Sequence, residues 1–205
     1  MRKILILFAF LLMVNPLLAA GEFKSKFDPV REKRYSDFAR ISFIVNTLKN
    51  SKSVGENIYE FYPAAFISLD KFIKENPGSY FLLDTKILFA ELYTGGPIFY
   101  VEDALISQKI SEEVRQFYRI CKNNAVSHIL DITNDKTSSR NYFDIDKGES
   151  TVEPIMAIAL YNLAIMTDDA EYVERLKKEY PGSSRIEKAE EVIPRFGARR
   201  IKNDK

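Results

Sequence analysis

One tripeptide recurs in this chain in two similar settings, and it limits the folds that the sequence can adopt. Pro77–Ser79 separates two apolar, helix-patterned runs within Ala65–Tyr93, and the same residues return 104 positions later as Pro181–Ser183. Proline and glycine interrupt helices and favour tight turns, so each tripeptide predicts a sharp corner between two helices. The recurrence therefore predicts helix hairpins that stack along the chain.

Composition excludes several classes of protein. The 205 residues suit one domain or a short repeat array, and 46% hydrophobic residues can bury a real core. Acidic and basic residues are nearly equal in number, at 29 and 30, which does not suggest a nucleic-acid partner. Cys121 and His128 are the single residues of their types, so an intrachain disulfide framework and a multi-histidine metal site are both excluded. We predict no cofactor and no metal.

The first twenty residues have the form of a secretory signal peptide. Arg2 and Lys3 precede the apolar run Ile4–Val14, and the small residues Ala19–Gly21 follow it. Eleven apolar residues in a helix are about 16 Å long, well short of a hydrocarbon core of about 30 Å, which favours a cleaved signal over a membrane anchor. We predict a signal at 1–20 and an exported, periplasmic protein. No cysteine stands directly after the predicted cleavage site, so a bacterial lipoprotein is not expected.

Helical patterns cover most of the remaining chain, and no segment shows the alternation that predicts a strand. After a short linker at 21–28, the predicted helical domain covers 29–194, with a kink or a restart at Pro63. A solvated basic tail at 195–205 follows. The predicted fold class is all-α, with antiparallel helix hairpins stacked on their neighbours.

Capping signals and loops set several predicted helix boundaries. Ser111 and Asp168-Asp169 precede helical runs, and a short helix is predicted at Phe99–Gln108. Ser150 and Glu153 have the spacing of a capping box and predict the start of another helix. Between these elements lies the longest polar stretch of the chain, 134–149, whose length is typical of functional or mobile loops.

Four residues are candidates for partner binding. Asp84 and Glu91 are seven positions apart and should share the inner face of the helix after the first corner. Tyr161 and Asn162 interrupt an otherwise apolar helix, which is expected in the middle of the stack. The alternatives are a solvated face for the two carboxylates and ordinary core packing for the tyrosine.

No arrangement of residues predicts catalysis. Cys121 and His128 lie seven apart on one predicted helix, about 10 Å along its axis, too far for a thiolate–imidazole pair. Both are expected to be ordinary buried or half-buried residues. The carboxylates of Asp144–Glu149 have some character of a calcium loop, but glycine and glutamate do not stand at the EF-hand positions.

The residues around both corners resemble tetratricopeptide-like proteins of bacterial envelopes, of the type of the outer-membrane assembly lipoprotein and the Tol-Pal cell-division coordinator. Three tetratricopeptide units of about 34 residues each are close to the separation of the corners. The matching residues are Phe72, Lys74, Glu75, Asn76, Pro77, Ser79, Asp84, Ala90 and Tyr93 in the first copy, and Leu176, Lys178, Glu179, Tyr180, Pro181, Ser183 and Ala189 in the second. The resemblance implies a right-handed α-solenoid in the periplasm.

The resemblance is limited in extent. It covers about sixty residues well, and the middle of the chain, 98–167, matches poorly. The chain lacks the lipidated cysteine of the assembly lipoprotein, and Phe38–Leu48 is too short for the coiled coil of the coordinator. An unrelated helical bundle is the alternative, because helical hairpins reuse such turns.

The predicted function is that of an exported, non-enzymatic scaffold that binds another envelope protein or an extended peptide. The alternative is a small helical enzyme or ligand-binding protein that uses the 134–149 loop as a lid over a pocket. A deep pocket with convergent polar groups beneath that loop would favour the alternative.

Overall fold

A computed structural model describes residues 29–50, 61–98, 111–135, 140–144 and 149–193. Within these ranges the chain is mostly helical, with seven helices and one two-stranded antiparallel sheet. The elements are α1 (Pro29–Asn50), α2 (Tyr62–Glu75), α3 (Leu82–Thr94), α4 (Glu112–Asn134), β1 (Asn141–Asp144), β2 (Glu149–Pro154), α5 (Ile155–Thr167), α6 (Ala170–Glu179) and α7 (185–193). The predicted signal peptide, linker, Phe99–Gln108 helix and basic tail lie outside the described residues.

Several helix ends occur where the sequence predicts them. Ser111 caps α4, its Oγ accepting from the Val114 N–H at 3.4 Å, and Asp169 caps α6 in the same manner. Asp168, just before that cap, takes the left-handed conformation with φ 56°, which short polar residues tolerate best. Pro63 lies in the first turn of α2, where proline is tolerated, so the described helix begins at Tyr62 and has no kink at Pro63.

The two corners share one backbone geometry. Each corner serine accepts, through Oγ, a hydrogen bond from the N–H two residues on, at 3.1 Å for Ser79 and 3.2 Å for Ser183. Each serine N–H also donates to the carbonyl three residues back, at 3.0 and 2.9 Å respectively. The residues before the prolines match as well, with φ −129° and ψ 52° at Asn76 and φ −137° and ψ 60° at Tyr180. The recurrence in the sequence is therefore also a recurrence in the backbone.

The corner glycines, Gly78 and Gly182, are expected to tolerate replacement by alanine, whereas Gly96 is expected not to tolerate it. A Cβ at Gly78 or Gly182 would meet nothing within 4 Å, and neither residue has a positive φ. Alanine at either position should raise the free energy of unfolding by about 0.4–1 kcal/mol, because it restricts the unfolded chain. A Cβ at Gly96 would lie 2.6 Å from Oη of the buried Tyr62, so Gly96→Ala should cost about 1–3 kcal/mol. Urea denaturation of the three variants measures these changes, and similar losses at all three positions would contradict this expectation.

The helices pack in a regular order along the chain. Each of α1 to α5 packs against the next described helix in sequence. In addition, α3 packs against both α1 and α5, so these three helices lie side by side. We refer to α1, α3 and α5 as the odd-numbered helices. The last described helix, α7, joins α5 and α6 through a cluster of Ala164, Val173 and Ala189.

Helix α5 is the most completely buried element, as its apolar sequence predicts. It contacts α3, α4 and α6, and β2 leads directly into it. Ten of its thirteen residues are buried, so almost no face of the helix is left to water. Its buried residues are Ile155, Ala157, Ile158, Ala159, Leu160, Asn162, Leu163, Ala164, Ile165 and Met166.

The β-hairpin corrects the all-α prediction. Strands β1 and β2 pair antiparallel, with Phe143 opposite Ser150 and a register shift near the base of the hairpin. The expected capping box is also wrong, because Ser150 and Glu153 lie in β2 and the residue that caps α5 is Pro154, without a side-chain hydrogen bond. The strands are short, and their anchoring contacts come from distant parts of the chain, which local patterns do not reveal.

Candidate functional site

Asp84, near the start of α3, is completely buried beneath the start of the hairpin. Its Oδ1 accepts hydrogen bonds from Arg140 Nη1 at 3.1 Å and from the Phe143 N–H at 2.9 Å. Arg140 Nη2 donates to Asp84 Oδ2 and also to the carbonyl oxygen of Tyr80 at 2.8 Å. The guanidinium lies 4.5 Å from the centroid of the Tyr80 ring, a cation–π contact. Asp84 therefore holds both a side chain and a backbone amide of the hairpin.

Burial and hydrogen bonding act in opposite directions on Asp84. Burial raises the pKa of this carboxyl, while the Arg140 guanidinium and the Phe143 N–H limit the rise. A forked guanidinium–carboxylate contact is a charge-assisted pair of hydrogen bonds, which is stronger than hydrogen bonds between neutral groups. The Asp84 carboxylate thus fixes the position of β1, although its charge is costly to bury.

Glu91 stands two turns further along α3 and joins a second ionic network. Lys49 Nζ lies 2.6 Å from Glu91 Oε2, and Arg185 Nη2 lies 3.0 Å from Oε1. Arg185 Nε also donates to Glu153 Oε1 at 2.7 Å. Burial raises the pKa of Glu91, but the two cations outweigh it and the pKa is lowered. The network links α1, α3, β2 and α7.

Tyr161 and Asn162 on α5 lie beside this network. The Arg185 guanidinium is 5.1 Å from the centroid of the half-buried Tyr161 ring. Asn162 is fully buried, and its Oδ1 accepts from Thr94 Oγ1 at 3.0 Å. Its Nδ2 donates to the Ile158 carbonyl oxygen at 2.9 Å, which is the bond one turn back along the helix. The amide thereby ties α5 to the end of α3.

The structure brings three of the four candidate residues together. Glu91 and Tyr161 both contact Arg185, and Asn162 neighbours Tyr161 at the junction of α3 and α5. Asp84 lies apart, under β1. The solvated-face alternative is wrong for both carboxylates, since the Asp84 side chain is 0% exposed and that of Glu91 is 12% exposed. A partner-binding role for the four residues stays a prediction.

Sequence reasoning missed the cations of these networks, Lys49, Arg140 and Arg185. For Arg185 a signal was present: with the corners aligned, it stands at the position of Phe81, a half-buried residue that follows the first corner. An arginine at a half-buried repeat position needs a carboxylate partner. Arg140 follows a polar stretch and had no such signal.

The cysteine and histidine are placed as ordinary core residues. Cys121 is buried, and burial together with nearby Asp70 raises the pKa of its thiol to about 12, which suits an inert thiol. His128 is half-buried, with its ring 5.2 Å from that of Phe89. Within the described ranges, no group of three or more His, Cys, Asp or Glu residues could hold a metal ion. The expected absence of a metal and a cofactor stays a prediction.

His128 is expected to make the fold sensitive to mild acid. Burial and the nearby Lys86 lower the pKa of His128, although Asp131 and Asp70 oppose this. The unfolded chain then binds a proton more readily than the native chain, so the free energy of unfolding should fall as pH drops below about 6.5 and level off below the native pKa. Urea midpoints across this range for wild type and His128→Gln test this expectation. An equal pH slope in both proteins would contradict it.

A groove lies between α4 and the end of α5, away from the hairpin. It has a volume of about 450 Å³ and is open to solvent. Its lining residues are Lys122, Asn123, Val126, Ser127, Leu130, Asp131, Met166 and Thr167, none of which belongs to the hairpin. No described residue of the 134–149 stretch lines this groove, so the groove gives no support to the enzyme alternative.

Among the helices of the described ranges, none combines the length and the apolar character needed to cross a membrane. No protein-family model matches the chain, and no similar curated protein or solved structure was found. The tetratricopeptide-like resemblance thus rests on the residues of this chain alone.

Proposed function

We propose that this protein is an exported, non-enzymatic scaffold of the bacterial cell envelope, built as a tetratricopeptide-like right-handed α-solenoid. Its partner is another envelope protein or an extended peptide. The single observation that carries this proposal is the repeated corner, in which the same side-chain and backbone hydrogen bonds recur 104 residues apart. Repetition of one supersecondary unit is the basis of solenoid folds.

The order of helix packing supports the same proposal. In a two-layer solenoid, each helix packs on its neighbours in sequence, and alternate helices form one layer. Among the described helices, α1, α3 and α5 alternate along the chain and lie side by side in this manner. Helix α7 follows the second corner as α3 follows the first, so we assign it to the same layer. We take the side chains of this layer that remain partly exposed, Tyr161 among them, as the inner, partner-binding surface.

The location of the candidate residues agrees with this assignment. Asp84 and Glu91 are on α3, and Tyr161 and Asn162 are on α5, so all four candidates belong to helices of the proposed inner layer. Arg185 begins α7. The half-buried Tyr161 offers an amphipathic ring of the kind enriched at protein interfaces. An extended peptide across this layer would pass over Tyr161.

The hydrogen-bond partners of Asp84 and Glu91 argue against a catalytic role for these two carboxylates. Both oxygens of Asp84 and both oxygens of Glu91 are occupied by cations of the same chain. A catalytic carboxylate needs an oxygen directed at a substrate proton. The two carboxylates thus serve contacts within the chain.

Site-specific crosslinking from the inner layer tests the proposal. The photoreactive residue p-benzoylphenylalanine replaces Tyr161, and the matched control places it at Ile67, which is 61% exposed on α2. After irradiation of the native envelope, we expect a defined protein adduct from position 161 and none from position 67. Adducts from position 67 alone would overturn the proposal, as would none from either site under conditions in which a known scaffold is captured.

Export is tested separately on the same material. The mass of the purified protein should match a chain that begins after Ala20 or Gly21, recovered from the periplasmic fraction. A full-length chain found only in the cytoplasm would refute export and leave the question of partner binding to the crosslinking result.

A further inference from the structure

The β-hairpin is an insertion between two helices that pack directly against each other. It connects α4 to α5, and these helices contact one another without it. A two-stranded hairpin is marginally stable alone in water, so this one depends on the surface beneath it. That surface is formed by α3, α5 and α7. The Phe143 N–H donates to Asp84 on α3, β2 packs against α5, and Glu153 pairs with Arg185 on α7. The hairpin therefore lies against the layer proposed to bind the partner.

Phe143 anchors the hairpin in an aromatic pocket. Its side chain is 7% exposed, and its ring centroid lies 5.5 Å from that of Phe81 and 6.5 Å from that of Tyr35, both at edge-to-face angles. Phe81 in turn stacks on Phe38 at 4.7 Å. Such ring pairs contribute beyond simple burial of area. The pocket is made by α1 and the residue that precedes α3, and it accepts one ring from the hairpin.

Arg140, three residues before Phe143, is bound by polar and aromatic groups of Tyr80 and Asp84. Asp84 accepts from both terminal nitrogens of its guanidinium, the Tyr80 carbonyl accepts from one of them, and the Tyr80 ring covers its plane. Asp84 also accepts the backbone N–H of Phe143. Lysine would bind these groups poorly, because it lacks the planar fork of the guanidinium. The surface thus recognises an arginine, a backbone amide and an aromatic ring in a fixed order.

We infer that Tyr35, Tyr80, Phe81 and Asp84 form a docking site for an extended segment with the pattern Arg-x-x-aromatic. In the structure this site is occupied in cis by residues 140–143 of the same chain. The inference rests on the proposed scaffold function and names the chemistry of the partner. A partner segment must displace the hairpin, whose attachment gives it an effective concentration in the millimolar range. The apparent affinity of the partner segment is then its intrinsic affinity multiplied by the fraction of molecules whose site is open.

Peptide binding to the full chain tests this site. The probe is a fluorescein-labelled peptide of residues 138–145, Ser-Ser-Arg-Asn-Tyr-Phe-Asp-Ile. The double variant Arg140→Gln with Phe143→Ala empties the site, and we expect it to bind the probe at least about 10-fold more tightly than wild type. A probe with glutamine for its arginine should not bind, and adding Asp84→Asn to the double variant should abolish binding. Equal binding to wild type and to the double variant, or none to a folded double variant, would overturn the inference.

A second measurement keeps the inference testable if the double variant does not fold. In the wild-type chain, hydrogen exchange of the Phe143 amide reports whether its bond to Asp84 is intact. Excess probe peptide should accelerate this exchange while leaving the amides of α3 unchanged. Unchanged exchange at saturating peptide would overturn the inference. Adducts from position 161 without peptide binding would refute this docking site but not the scaffold.

Discussion

Replacement of Asp84 by alanine is expected to lower the free energy of unfolding by about 3 kcal/mol. The carboxylate is fully buried, and its loss leaves the Arg140 guanidinium and the Phe143 N–H without their acceptor. The value lies at the low end for a broken buried pair, because the Arg140 side chain retains 23% exposure and can turn partly to water. Urea denaturation monitored by circular dichroism measures the change. The hairpin should also lose protection in hydrogen exchange.

Asp131 provides a matched control for Asp84. Its carboxylate also pairs with a cation, Lys86, at 2.9 Å, but its side chain is 60% exposed. Exposed pairs contribute little, so Asp131→Ala should change stability by less than about 1 kcal/mol. Adding Arg140→Met to Asp84→Ala should restore part of the loss, because the unpaired charge is then removed. Equal losses for Asp84→Ala and Asp131→Ala would show that burial of the pair does not determine its contribution.

Local signals predicted the helices well because helix formation depends on nearby residues. The apolar run of α5 predicted a central, buried helix, and the structure places it between α3, α4 and α6. The proline and glycine of each corner predicted a turn, and the serine that follows them makes the turn hydrogen bonds. In each case the residues that decide the geometry lie within one or two turns of each other.

The hairpin could not be predicted from the same kind of signal. Arg140 and Asp84 are 56 positions apart, and Glu153 and Arg185 are 32 apart. Glu153 looked like the second half of a capping box with Ser150, but its carboxylate binds the distant Arg185 instead. Tertiary contacts of this kind override a local preference.

The candidate residues came from helix spacing alone. The spacing of seven predicted that Asp84 and Glu91 share one face of α3, and the structure has Asp84 in contact with the hairpin and Glu91 in a separate ionic network. Their role in binding a partner stays a prediction. The spacing could not predict the cations that pair with Glu91, because Lys49 and Arg185 are far from it in sequence, on α1 and α7. An amphipathic pattern identifies a face, whereas its occupant is a property of the tertiary structure.

Replacement of Phe66 by alanine is expected to lower the free energy of unfolding by about 3–5 kcal/mol. Phe66 is buried on α2, with its ring centroid 5.0 Å from that of Phe89 on α3 and 6.3 Å from that of Tyr118 on α4. The ring fills the space where three consecutive described helices meet, and rigid neighbours cannot close the cavity that alanine would leave. The loss should appear in the urea midpoint as one cooperative transition.

The adjacent residue, Ile67, separates this packing effect from a change in helix propensity. It lies on the same helix and is 61% exposed, so Ile67→Ala should change stability by no more than about 0.5 kcal/mol. A transition at Phe66→Ala that splits in two would indicate that α2 unfolds separately from the C-terminal helices, as neighbour-only contacts in a solenoid allow. A single transition would instead favour the hairpin as the element that couples the helices, because its contacts extend from Tyr35 on α1 to Arg185 on α7.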